Sequence, residues 1–226
     1  MSVLKSLLFD CDGVLLDSNA LKTEAFERVG AQFGADAAQA LVRYHVEQGG
    51  VSRYRKFEYL LSTILGQEAS LQKIEQLAAQ YSECVYNALL SCPLADGIAS
   101  LRELTPDATW MVVSGGDQKE LRAVFSHRKI ADYFDGGIFG SPDNKRVILN
   151  KLFSEDKIAR HPSLFIGDSR YDHEVAFEAG CNFVFATKWT EFHGWERYCE
   201  KNNILAVEGV SDLIELIRGN TFPLLG

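Results

Sequence analysis

Two aspartates one residue apart, Asp10 and Asp12, close the apolar run Leu7-Leu8-Phe9 and are followed by Gly13-Val14-Leu15. Paired carboxylates repel each other, and such a pair persists only where a cation or a proton balances it. Three more apolar runs end in polar chemistry. Trp110-Met111-Val112-Val113 leads into Ser114-Gly115-Gly116, a hydroxyl followed by glycines that admit a ligand close to the backbone. Ser114 also suits a helix N-cap. Gly137–Phe139 leads to Gly140-Ser141-Pro142-Asp143-Asn144-Lys145, where a lysine at a helix start opposes the helix dipole. Lys151, further along, is the rival cation and reads as a surface residue. Leu164-Phe165-Ile166-Gly167 ends at Asp168, with Asp172 four residues later on the same helical face. Taken singly, these two acids would be a helix cap and a first-turn acid.

Taken together, Asp10, Asp12, Asp168 and Asp172 form an oxygen-rich set that suits magnesium rather than a soft metal. Ser114, Lys145 and loop amides supply the donors that phosphate oxygens need. One carboxylate can act as a nucleophile and form an acyl-phosphate, while a second carries the proton.

Such side chains work together only if parallel strands deliver them to one edge of a sheet, where ligands bind in α/β proteins. Residues 3–9 read as a central strand buried on both faces. The spacing predicts helices over 19–33, 36–47, 52–65 and 70–90, with no strand among them: a small helical bundle lodged in an α/β protein. From Cys92-Pro93 onward, helices at 98–104, 117–125, 144–153, 171–179, 195–200 and 211–218 alternate with strands at 109–113, 137–139, 163–166, 182–185 and near Ala206. That alternation means βαβ units and a mainly parallel, Rossmann-like sheet. The expected division is a core of 1–18 and 91–226 and a helical unit of 19–90.

Asp10-Cys11-Asp12-Gly13-Val14-Leu15, Ser114, Lys145 and Gly167-Asp168 with Asp172 resemble the four ordered motifs of the haloacid dehalogenase superfamily, and residues 19–90 fall where that superfamily places a helical cap. The resemblance implies a nucleophile at Asp10, which also binds Mg²⁺. Asp12 would be the general acid/base and bind the metal through its backbone carbonyl. Ser114 would hold the transferring phosphoryl group, and Lys145 would neutralise charge on it. Asp168 would be the remaining protein ligand to the metal. Asp172 would bind through water or orient Lys145. Amides near Cys11, Asp12 and Gly115 would complete the phosphate cradle, with the Cys11 side chain serving only in packing. Many relatives with this cap carry Lys-Pro at the third motif, where this chain has Lys145-Arg146. Gly49-Gly50-Val51-Ser52-Arg53 is similar to the cap loop of β-phosphoglucomutase-like members, which makes Arg53 the candidate for gripping a distal oxyanion or sugar group; Lys56 and His45 are weaker candidates. Trp189, Phe192, His193 and Trp195, within 188–200, could pack over the edge of the site but read as ordinary core and surface aromatics.

The expected activity is a Mg²⁺-dependent phosphatase acting on a small phosphorylated metabolite, phosphoglycolate- or sugar-phosphate-like. The alternative is a sugar phosphomutase of β-phosphoglucomutase type, which would use the same aspartates. A metal-free dehalogenase is disfavoured because such relatives lack an acid equivalent to Asp12. A receiver-like phospho-acceptor is disfavoured by length and by the inserted helices. The net charge of −8 over 226 residues argues against a nucleic-acid groove. The apolar runs are too short to span a bilayer. Five cysteines without a CxxC pair point to structural thiols in a reducing compartment, hence to a cytoplasmic protein.

Overall fold

The computed structural model describes residues 4–158 and 162–219. Residue 3 of the first expected strand, and residues 1–3, 159–161 and 220–226 of the expected core, lie outside that range. The first strand, β1 (Ser6–Phe9), is buried along its whole length. Leu7 and Phe9 join one apolar cluster and Leu8 joins another. Side chains alternate across a strand, so a strand covered on both faces needs apolar residues at every position.

β1 pairs in parallel with β2 (Thr109–Asp117) on one side and with β4 (Ser163–Gly167) on the other. With β3 (Gly137–Ser141), β5 (Asn182–Ala186) and β6 (Leu205–Val207) they form one six-stranded sheet in the order β3-β2-β1-β4-β5-β6. The order of connection reverses between β1 and β4, which is where such sheets open a crevice at their carboxyl ends. Asp10 follows the last residue of β1 and Asp168 the last residue of β4.

Between β1 and β2 the chain makes α1 (Asn19–Gly30), α2 (Ala35–Glu47), α3 (Arg53–Tyr59) and α4 (Leu71–Leu89). A π-helical turn at Leu60–Ile64 continues α3. No strand interrupts them. Phe26, Phe57 and Tyr81 meet in the middle of this insertion, with ring centroids 4.4–6.1 Å apart. α1 packs on α2 and α4. α5 (Ile98–Leu104) leads into β2, and α6 (Gln118–His127) follows it. α7 (Lys145–Ser154) and α8 (Arg170–Ala179) cover the sheet face that carries Leu8, Met111 and Phe165. α9 (Trp195–Asn202) and α10 (Val210–Arg218) complete the fold.

β2 is longer than its apolar run: it continues through Ser114, Gly115 and Gly116 to Asp117, with a register shift against β3. Asp117, rather than Ser114, caps the following helix, accepting from the amides of Lys119 and Glu120. This leaves Ser114 extended at the sheet edge. Among the described residues no helix is long and apolar enough to cross a membrane, and Cys11, Cys84, Cys92 and Cys199 are free thiols.

Candidate active site

The site begins at Asp10, buried at the end of β1. Its Oδ1 accepts from the amide of Cys11 at 2.7 Å and lies 2.8 Å from Lys145 Nζ. Lys145 opens α7, a position its charge does not favour, and its side chain is fully buried. Nζ is spent on acids instead: it also lies 2.5 Å from Asp172 Oδ1. Asp172 divides its two oxygens. Oδ2 accepts from the amide and hydroxyl of Ser169 at 3.2 and 2.6 Å, closing a capping box at the start of α8. Asp172 is thus the acid expected in the first turn of α8, and it also lies against Lys145. Asp168 is not a cap, because Ser169 takes that place. Its Oδ2 accepts from Asn19 Nδ2 at 2.8 Å.

One oxygen from each of Asp10, Asp168 and Asp172 lies within 4.8 Å of the others. Among the described residues these buried carboxylates face one ammonium, Lys145. Burial, together with Asp172 and Asp12 and against the pull of Lys145, pushes Asp10 up to about 7. Burial and the neighbouring Asp10 push Asp168 well above the usual carboxylate range. A buried set of hard oxygen donors with excess negative charge fits a divalent cation. Gly13 shapes this corner. Its φ is +76°, and a Cβ there would overlap the Asp168 carboxylate and the Asn19 amide.

Asp12 is held separately. Its Oδ2 lies 2.5 Å from Lys22 Nζ on α1, and its Oδ1 accepts from the Ser18 hydroxyl at 2.6 Å. Burial raises its pKa, but Lys22 and Ser18 outweigh that and hold it below the ordinary carboxylate value. Ser114 is fully buried, and its Oγ accepts from the Gly116 amide at 3.0 Å. The Cys11 thiol is buried too, and burial pushes its pKa well up, in keeping with a packing role. Lys151 is exposed and pairs with Asp143.

The helical insertion roofs these strand ends. A cavity of about 350 Å³ lies between them, lined by Asp10, Asp12 and Asp168 below and by Lys22, His45 and Lys56 above. The roof is close-fitting: a Cβ on Gly115 would overlap the carbonyl oxygen of Gly50. Arg53 also lines the cavity, but its guanidinium is committed elsewhere. Nη1 and Nη2 donate to Glu120 on α6 at 3.0 and 2.5 Å, Nη1 donates to Ser82 at 2.6 Å, and the group lies 4.5 Å from the Tyr81 ring centroid. In this closed arrangement Arg53 ties the insertion to α6. Phe192 is an exception to the ordinary-aromatic reading of its segment, since it lines the cavity with Glu191.

Sequence reasoning missed Lys22, Asn19 and Glu120. Lys22 carried a signal: it shares with Ala25, Phe26 and Val29 the buried face of α1, and a charged residue on an apolar stripe needs a partner. Asn19 and Glu120 find partners 149 and 67 residues away, which no local pattern announces.

A family model for haloacid dehalogenase-like hydrolases matches residues 7–186. A phosphoglycolate phosphatase of Vibrio parahaemolyticus serotype O3:K6 (strain RIMD 2210633) is 25% identical over 223 residues, covering 95% of this chain and 96% of that one. Two crystal structures share the fold at lower identity. One, described as a predicted phosphatase from Clostridium acetobutylicum, has a TM-score of 0.75 at 19% identity and covers 96% of this chain and 100% of its own. The other, a β-phosphoglucomutase from Clostridium difficile, has a TM-score of 0.70 at 15% identity and covers 96% and 99%. The acids at the ends of β1 and β4 and the helices inserted after β1 thus stand in a known frame: the chain belongs to the haloacid dehalogenase-like hydrolases.

Proposed function

We propose that the chain is a Mg²⁺-dependent phosphatase that hydrolyses a small phosphorylated metabolite through a phosphoryl group carried on Asp10. The observation that carries this reading is the fixed Asp10 carboxylate, held at Oδ1 by Lys145 and the Cys11 amide at the floor of the cavity. About 350 Å³ lies at the small end of small-molecule sites, which run from about 300 to 1,000 Å³. A compact phosphomonoester suits it better than a phosphorylated polymer. The phosphoglycolate phosphatase relative supports the same choice.

Asp10 and Asp168, with the backbone carbonyl of Asp12, would hold Mg²⁺, which when bound neutralises charge on the phosphate oxygens and on Asp10. Asp172, whose oxygens are taken by Lys145 and Ser169, orients Lys145. Asp10 attacks phosphorus, and the bond from phosphorus to the leaving oxygen breaks. Asp12, in its protonated form, gives that oxygen a proton. It then takes a proton from the water that cleaves the phosphoryl–Asp10 bond, releasing inorganic phosphate. Lys22 and Ser18 favour the charged form of Asp12, the form required for the second half. Ser114, Lys145 and the amides of Cys11 and Gly115 cradle the phosphoryl oxygens. The insertion, residues 19–90, acts as a cap that excludes water and selects the leaving group.

The fold similarity to β-phosphoglucomutase does not favour a mutase over a hydrolase. Arg53, the residue suggested for a distal oxyanion or sugar group, is bound to Glu120. The test is a phosphate-release screen over phosphorylated metabolites with Mg²⁺, including 2-phosphoglycolate and β-glucose 1-phosphate, alongside Asp10→Asn. Phosphate release by the native chain and none by the folded variant is expected. Isomerisation of β-glucose 1-phosphate without phosphate release would replace the reading with the mutase one.

A further inference from the structure

The cavity roof holds a buried cation that the chemistry at Asp10 does not use. Lys56 on α3 is only 2% exposed, and among the described residues no carboxylate comes within ion-pair distance of it. Its two neighbours in the roof, Lys22 and Arg53, are each paired with an acid. Lys56 Nζ meets His45 Nδ1 at 2.6 Å and the His45 carbonyl oxygen at 3.4 Å, and stands 5.3 Å from the Phe26 ring centroid. An ammonium donates to Nδ1 only if the imidazole proton sits on the other nitrogen. With Lys56 charged, His45 Nε2 carries the hydrogen, and Nε2 is the buried side-chain atom left without a partner among the described residues. The nearest acceptor, Glu191 Oε2, is 3.9 Å away, beyond hydrogen-bond reach, and both Glu191 oxygens accept from the Thr23 hydroxyl.

A buried, unpaired ammonium and an unspent donor in the wall of a substrate cavity are costly unless a ligand completes them. We propose that Lys56 binds an oxyanion carried by the leaving group of the substrate, and that His45 positions the Lys56 side chain for it. The inference rests on the phosphatase reading for the other end of the substrate, and it narrows the substrate class to monophosphates whose leaving group bears a second anion. Burial, with the nearby Lys22 charge, draws Lys56 down to about 7, and an arriving anion favours the charged form again. Glu191 faces the same space. Burial raises its pKa, so its carboxyl accepts a proton more readily than an exposed one when an anion comes near.

A carboxylate and a second phosphate share this chemistry, and paired substrates separate them. In the native enzyme with Mg²⁺, kcat/KM is compared for 2-phosphoglycolate against 2-hydroxyethyl phosphate, and for glucose 1,6-bisphosphate against glucose 1-phosphate. A preference of about tenfold or more for the charged member, the scale of one charge-assisted hydrogen bond, is expected in at least one pair, and that pair identifies the anion. Lys56→Met should bring the ratio close to one. His45→Leu should reduce it and His45→Gln should restore part of it; these two carry the comparison if Lys56→Met does not fold. Equal turnover within both pairs, or a preference that survives these substitutions, overturns the proposal. If no phosphomonoester is hydrolysed, the phosphatase reading falls, and calorimetric binding of the same pairs to Asp10→Asn still decides the subsite: tighter binding of the charged member that disappears on adding Lys56→Met supports it, and equal binding sinks it.

Discussion

At the scale of single residues, the site depends on how excess negative charge is managed around Asp10. Lys145 is the only cation in contact with the Asp10 and Asp172 carboxylates among the described residues. Removing one partner of a buried ion pair costs about 3–5 kcal/mol, so Lys145→Met should lower unfolding free energy on that scale and abolish turnover. Denaturant unfolding checks the first effect. The sign of the pH effect follows from Asp10. Its folded value, about 7, lies above the ordinary 3.8, so between those values the folded chain holds a proton that the unfolded chain has lost. Metal-free protein thus gains stability from this group as pH falls through 7 and loses it as pH rises. Mg²⁺ competes with that proton, so the Mg²⁺-induced rise in Tm should be larger at about pH 8 than at about pH 5.5. Equal rises at both would argue against Asp10 as a ligand. The principal acids were legible in the sequence because each sits where an apolar run stops, a local signal. Lys22 and Asn19, which fix Asp12 and Asp168, were not, because their pairings depend on how α1 leaves the sheet.

Among the elements, the decisive contact is between the Gly49-Gly50 loop of the insertion and the Ser114-Gly115-Gly116 edge of β2. A Cβ at Gly115 meets backbone, the Gly50 carbonyl, which cannot rotate away as a side chain can. Gly115→Ala should therefore hold the insertion off the core and cut kcat/KM by about a hundredfold, the penalty for an ångström-scale misplacement, while the melting temperature changes little. Unchanged kinetics would show that the closed arrangement is not the working one. Helix and strand identities were readable from the sequence pattern, since β1 and β4 carry the unbroken apolar runs Leu7-Leu8-Phe9 and Leu164-Phe165-Ile166 and the inserted helices repeat at three and four residues. The length of β2 was not. The strand runs on through Ser114, Gly115 and Gly116 to Asp117, which pairs with Ser141 of β3, a long-range cause that propensity does not record. Arg53 was singled out from its loop, but its partner, Glu120, lies across the fold.

At the scale of the whole molecule, the cavity separates Asp10, Asp12 and Asp168 at the strand ends from Lys22, Arg53 and Lys56 in the helical roof. The roof is tied to the sheet side by Arg53–Glu120 and by the Tyr54 hydroxyl donating to Asp117 at 2.9 Å. Arg53→Met strands the buried Glu120, so it should destabilise the closed arrangement by about 3–5 kcal/mol and raise KM more than it lowers kcat; steady-state kinetics with small-angle scattering would read both. All of this serves one claim, that Asp10 carries the phosphoryl group between the leaving group and water. Acid quench during turnover of the best substrate from the metabolite screen, followed by peptide mapping by mass spectrometry, tests it most directly. The expected result is a phosphoryl group on the peptide containing Asp10, labile to hydroxylamine and absent from Asp10→Asn. Steady turnover with no phosphopeptide under single-turnover quench, or undiminished turnover by Asp10→Asn, would contradict it.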